Sequence, residues 1–209
     1  MKIMLIDAGK RFNRDWIFRH LSYEFLPRKQ YAITGPNGSG KSTLLQLIAG
    51  AIGISEGGIR YVASDSDIPP DQAYRHLSLS APYLDLIEEM TATEFLRFHH
   101  AFKPFIAGLS VTEILSAVGL EAAADKQIRF FSSGMKQRIK LAQALFSDTP
   151  VVLLDEPCTN LDADGVALYQ QLIRQYGADR LVIISSNDPQ EYEFCEKSIN
   201  LMEHKPGHG

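Results

Sequence analysis

The stretch Gly35-Pro36-Asn37-Gly38-Ser39-Gly40-Lys41-Ser42-Thr43 fits G-x-x-x-x-G-K-[ST], and it constrains the fold more than any other part of the chain. Its glycines let the backbone turn tightly, so that successive N–H groups converge on a phosphate. Lys41 is placed to reach the β- and γ-phosphates, and the Ser42 hydroxyl to hold Mg²⁺. The flanks agree. Gln30 to Thr34 reads as a strand running into the loop, and Ser42 to Ala49 as a helix running out of it. That helix turns its free N–H groups and positive dipole end toward the anion. A nucleoside triphosphate with Mg²⁺ is the ligand these residue types suit.

The rest of the chain sets limits. Its 209 residues allow one large domain or two small ones, and 45% hydrophobic residues suffice for an ordinary core. A net charge of −4 gives no sign of a strongly basic face, and no nucleic-acid partner is expected. Cys158 and Cys195 lie far apart and in no metal-ligand spacing, which favours a reducing, cytosolic setting. No apolar run approaches the length of a membrane span. The start, Met1 to Asp7, meets an acid too soon for a signal peptide. Membrane work would need another chain for the spanning part.

Read in order, Lys2 to Asp7 is a first strand and Phe12 to Asp15 a turn. Trp16 to Phe18 and Leu21 to Leu26 alternate as short strands, so the N-terminal section is expected to be antiparallel. Gly53 to Gly58 is a turn cluster, Ile59 to Ala63 a strand, and Ser64 to Asp71 a polar surface loop. Leu77 to Ser80 is a strand stopped by Pro82. From about residue 83 to 147 the texture is helical. Thr91 with Glu94 and Ser110 with Glu113 mark helix starts, and a longer helix covers Ser132 to Phe146. Phe95, Leu96, Phe98, Phe102, Phe105 and Ile106 are expected mostly in the core of this section. His99 and His100 are expected on a surface face. Val151 to Leu154 and Leu181 to Ile184 are buried parallel strands. Asp162 to Gln175 is a helix, Ser198 to Met202 a last strand, and His204 to Gly209 a frayed tail holding His208. Strands alternating with helices around a phosphate loop indicate an α/β domain with a mostly parallel sheet. An antiparallel piece precedes it and a helical piece is inserted.

Asp155 and Glu156 follow a buried strand at the sheet edge where ligands bind. Asp155 is the candidate Mg²⁺ ligand alongside Ser42, and Glu156 the candidate to polarise the attacking water.

Phe131-Ser132-Ser133-Gly134-Met135-Lys136-Gln137-Arg138 resembles the signature motif of ATP-binding-cassette (ABC) ATPases, about twenty residues before the Asp-Glu-Pro strand. Thr159-Asn160-Leu161-Asp162 is similar to that family's D-loop. Phosphate loop, signature, acid strand and D-loop stand in the family's order over nearly the whole chain. The resemblance implies a single ABC ATPase domain over residues 1–209, with a P-loop NTPase (RecA-like) core. It implies ATP and Mg²⁺, and two cassettes facing head to tail. Each ATP would lie between the phosphate loop of one copy and Ser132, Ser133, Gly134 and Met135 of the other. Asp162 would bridge the copies. Phe12 stands about where the adenine-stacking aromatic is expected, with Trp16 as the weaker candidate.

The departures shape the expectation. Phe131, Ser133 and Met135 replace the usual Leu, Gly and Gln of the signature. No glutamine follows the strand ending at Ser80. Asn187 stands where the switch histidine belongs, and asparagine can hydrogen-bond a γ-phosphate but cannot carry a proton. The resemblance therefore implies a transporter's ATP-hydrolysing subunit with slow or differently regulated turnover. It would sit peripherally on the cytoplasmic face of the cell membrane beside a separate integral membrane permease. Pro82, Tyr83, Leu84 and Leu86 lie where a permease helix would dock. The alternatives are a soluble non-transport ABC ATPase of the assembly type, or a weakly hydrolysing, ATP-dependent dimerisation switch. Substrate and direction are not readable.

Overall fold

Strands of two kinds meet in the computed structural model, which describes residues 1–64 and 66–205. β1 (Lys2–Phe12) and β2 (Asp15–Phe25) form a hairpin turned at Asn13 and Arg14. β3 (Gln30–Thr34) leads through the glycine loop into α1 (Lys41–Ile48). β4 (Glu56–Ala63), β5 (Ser66–Ile68) and β6 (Leu77–Ser80) come next. A helical section follows, with α2 (Ala92–Phe102), α3 (Val111–Ala117) and α4 (Ser133–Leu145). The chain ends with β7 (Val151–Asp155), α5 (Ala163–Tyr176), β8 (Leu181–Ser185), the short α6 (Pro189–Tyr192) and β9 (Lys197–Asn200).

One sheet is antiparallel, in the order β2-β1-β4-β5; the other has the order β6-β7-β8-β3-β9, with every pairing parallel. Its central strands β7 and β8 are buried on both faces, which explains their unbroken apolar runs. Val152, Leu154, Val182 and Ile184 pack with the helical section. Their neighbours Val151, Leu153, Leu181 and Ile183 pack with α1 and the antiparallel sheet. The period of two along each strand thus divides the molecule into two cores.

The capping boxes at Thr91 and Ser110 form as expected, each with its Glu three residues on. Four segments differ from the sequence reading. The two short strands around residue 20 are one strand, β2, because a bulge at His20 (φ 55°) and Asp7 (φ 48°) absorbs the irregularity. Gly57, expected in a turn, lies in β4 against that bulge. Its φ is +75°, and a Cβ there would come within 2.1 Å of the Asp7 carbonyl oxygen. The polar stretch from Ser64 contains β5, where Arg60 bridges Asp67 at 2.9 Å; Asp65 within it is outside the described residues. The last strand stops at Asn200, whose side chain caps a 3-10 turn over Leu201–His204. His208 and the end of the tail also lie outside.

Two expectations for the helical section are corrected. Phe95, Leu96 and Phe105 are buried, but Phe98 is 44% and Phe102 76% exposed, because they fall on the outer face of α2. His99 is half-buried, not on the surface. Its Nε2 pairs with the Ser147 hydroxyl at 2.9 Å, while the His100 Nδ1 accepts the Phe105 N–H at 3.1 Å. Both imidazoles thereby tie the end of α2 to the chain beyond it.

Ser147 belongs to a buried polar knot. The Arg180 guanidinium donates to the carbonyls of Leu145 (2.6 Å), Ser147 (2.9 Å) and Thr149 (2.7 Å), and to the Thr149 hydroxyl (2.7 Å). Burial pushes its pKa down to about 10. Burial also pushes the His99 imidazole down to about 4, helped by the charge of Lys103. A histidine that titrates lower when folded favours the unfolded chain as soon as the unfolded form begins to protonate. We expect stability to fall as pH drops from about 6.5 toward 4, by about 1–2 kcal/mol after allowance for partial solvent screening. Urea titrations of native and His99→Gln protein across that range check this; the variant should lack that part of the slope.

Candidate functional site

β3, β8 and β7 lie side by side, so the loops beyond their carboxyl ends share one edge. The glycine loop leaves β3, Glu156 follows β7, and Asn187 follows β8. One recess is lined by Asn37, Gly38, Gly40, Lys41, Ser42, Thr43, Glu156 and Ile17. No sequence motif marks Ile17. It enters from β2 because Gly40, at φ +102°, lets the two backbones approach: a Cβ on Gly40 would lie 2.2 Å from the Ile17 Cγ2.

Within the loop the Ser39 N–H donates to the Pro36 carbonyl at 3.0 Å. The buried Lys41 ammonium donates to the carbonyls of Gly35 (2.9 Å) and Pro36 (3.3 Å). An ammonium withdrawn from water needs such partners. Phosphate oxygens arriving at the head of α1 would be stronger ones.

Asp155 is 1% exposed, and its Oδ1 has no hydrogen-bond partner. Burial raises its carboxyl above the ordinary value, against the opposing pull of the Ser42 hydroxyl. A buried oxygen without a partner, next to a hydroxyl, is a hard-oxygen donor set that fits Mg²⁺. Among the described residues no cluster of three or more His, Cys, Asp or Glu side chains forms another metal site.

Glu156 adopts φ 43°, a left-handed conformation uncommon outside glycine. Its N–H donates to the Ser185 carbonyl at 2.8 Å, which pins the turn to β8. Asn187 lies across the recess, its Nδ2 donating to the Asn37 Oδ1 at 3.1 Å. A side-chain amide therefore spans from the β8 loop to the glycine loop, at the position where this sequence has asparagine instead of histidine. The chain after Ser80 offers no glutamine, but Tyr83 lies near enough to Asp155 to feel its charge. Burial, then the charge of Asp155, pushes its phenol up to about 12.

Ser132, Ser133, Gly134 and Met135 are not at this recess. They line another, with Arg138, Asn160 and Asp162. The Ser132 hydroxyl accepts the Met135 N–H at 3.2 Å and so caps α4, while Ser132 and Ser133 stay exposed. A Cβ on Gly134 would lie 3.1 Å from the Asn160 carbonyl oxygen. Asp162 caps α5 and faces the Arg138 guanidinium at 3.6 Å. Phe12 is 48% exposed at the hairpin tip, with the Lys10 ammonium 4.8 Å from its ring centre. Trp16 is more enclosed, under the Arg19 guanidinium at 4.3 Å. The signature stretch contains Gln137 without assigning it a role, and nothing in the sequence marks Glu191; each is 4% exposed. Burial of a polar side chain is the signal that would have found them, and periodicity does not carry it.

A family model described as ABC transporter matches residues 18–159. A cytochrome c biogenesis ATP-binding export protein, CcmA, from Agrobacterium fabrum is 29% identical over 203 residues, covering 94% of both chains. Among solved structures, an ABC transporter ATP-binding protein from Pyrococcus furiosus superposes with a TM-score of 0.84 at 20% identity, covering 99% of this chain and 100% of that one. A dimeric ATP-binding cassette in a post-hydrolysis state with ADP and phosphate gives 0.80 at 23% identity, covering 95% and 93%.

The two loop glycines should respond differently to a methyl group. Gly40→Ala adds the Ile17 clash to a left-handed φ, whereas Gly38, at φ +78°, has open space around it. We expect Gly40→Ala to lower the melting temperature by several degrees and Gly38→Ala by a third of that or less, read by thermal denaturation without ligand.

Proposed function

Because this chain belongs to the ABC transporter family, we propose that it is the ATP-binding, ATP-hydrolysing subunit of a transporter, driving a separate integral membrane permease. The observation that carries the reading is the division of the site. Glu156 and the glycine loop line one recess, with Asn187 hydrogen-bonded to Asn37 at its edge, while the exposed Ser132 and its neighbours line another. A single copy holds two unlike halves, and a second copy placed head to tail completes each. The dimeric relative with ADP and phosphate supports this assembly.

In the proposed reaction the head of α1 and Lys41 bind the triphosphate, with the adenine stacked on Phe12. Ser42 and Asp155 would hold Mg²⁺, which when bound would offset phosphate charge. Glu156 takes a proton from the attacking water, its carboxylate aimed by the strained turn that Ser185 pins. Asn187 turns its Nδ2 from Asn37 to the γ-phosphate; it donates one hydrogen bond and moves no proton. From the partner copy, the head of α4 with Ser132 and Gly134 closes on the same phosphate. Asp162 lies at the junction between copies.

No helix among the described residues is long and apolar enough to cross a membrane, which suits a peripheral subunit on the cytoplasmic face. The name of the relative, an export protein, supports export as the direction.

Purified chain is expected to show low Mg²⁺-dependent ATPase activity. Glu156→Gln should lower the rate at least about a hundredfold while nucleotide binding persists, and an ATP-dependent dimer should accumulate on size exclusion. An unchanged rate removes the assigned role of Glu156. Asn187→His is expected to raise turnover severalfold in a steady-state phosphate-release assay; a fall would show a site adapted to asparagine.

A further inference from the structure

The segment from Glu156 to Asp162 contains two non-glycine residues with positive φ, Glu156 (43°) and Asn160 (65°). Such conformations persist only where surrounding contacts over-determine them. Between the two lies one peptide group held from both sides. Its carbonyl, Pro157 O, accepts from the Gln137 Nε2 at 2.7 Å. Its N–H, on Cys158, donates to the Glu191 Oε1 at 2.7 Å. Both side chains are nearly fully buried, and neither belongs to the phosphate recess.

Each side chain reports on a different loop. Gln137 is one turn into α4, the helix that Ser132 caps and whose Gly134 abuts the Asn160 carbonyl. Glu191 is on α6, immediately after Asn187, and its backbone carbonyl accepts the Tyr169 hydroxyl of α5 at 2.8 Å. The Cys158 N–H and the nearby Ser186 hydroxyl hold the carboxylate, whose second oxygen, Oε2, is also buried. A peptide unit is planar and rigid. A displacement of α4 at Gln137 therefore turns the same plane that Glu191 holds, and with it the ψ of Pro157 and the strained backbone of Glu156.

We propose that Gln137 and Glu191 are positioning residues. Through the Pro157–Cys158 peptide they link the Ser132 end of α4 to the aim of the Glu156 carboxylate and to the Asn187 segment. This rests on the reading of the chain as a dimerising ATPase, in which Ser132 serves one ATP and Glu156 of the same copy serves the other. The peptide is then a mechanical link between the two nucleotide sites: closure of the signature on one phosphate sets the base at the opposite phosphate.

The test is a double-mutant cycle on the full-length chain with Gln137→Met and Glu191→Met, which keep side-chain length but lose the hydrogen bonds. Each single variant is expected to lower kcat about tenfold, with KM for ATP within about twofold of native. The double variant should also lose only about tenfold, because both act through one peptide plane. Glu191→Gln keeps an acceptor oxygen and should recover to within about threefold of native. An additive loss of about a hundredfold, a KM effect without a kcat effect, or a Glu191→Gln as slow as Glu191→Met overturns the link while leaving the ATPase reading in place. Absence of hydrolysis in the native chain overturns that reading and the link with it.

Discussion

Burial of the parallel strands on both faces is the constraint on which everything else depends. Val151 to Leu154 and Leu181 to Ile184 have no polar face, so each needs an apolar layer above and below. Helices supply one layer, and α1 with the antiparallel sheet supplies the other. Parallel strands also end on the same side. The arrangement that hides their side chains therefore delivers Glu156, Asn187 and the glycine loop to a common edge without further design. Polar chemistry is collected where apolar packing stops.

Much of this architecture was legible because it is written in local patterns. A glycine run with Lys-Ser names its own backbone requirement, and the two capping boxes fixed where helices begin. Continuous apolar runs marked the buried strands. What escaped was set by partners distant in sequence. The bulge at His20 depends on Asp7 and Gly57, so β2 looked like two strands. The exposure of Phe98 and Phe102 is decided by which face of α2 meets the core, and aromatic spacing along one helix does not say.

The site follows the same division. The pairing of Asn187 with Asn37 crosses from one loop to another, and only the strand order puts them together. Ile17 enters from the hairpin, through a contact that no motif records. Gln137 stands within the signature stretch yet points away from its exposed serines, toward a carbonyl twenty residues on. Residue type foretold the chemistry of the recess, whereas the fold decided which side chains support it.

The Arg180 knot gives the helical section a fixed point. Its guanidinium grips the carbonyl of Leu145, the last residue of α4, and the carbonyls of Ser147 and Thr149 in the loop that leads into β7. Its hydrogen bonds go to carbonyls and a hydroxyl, so backbone dipoles held in this one arrangement, with the nearby Asp148 charge, offset the buried cation. The other end of α4 carries Ser132, in the open. Thirteen residues of helix make a rod of about 20 Å. Anchored at its base, the rod acts as a lever with Arg180 as fulcrum. A tilt of about 6° would leave the base in place and carry the serine tip about 2 Å, the length of a hydrogen bond made or lost.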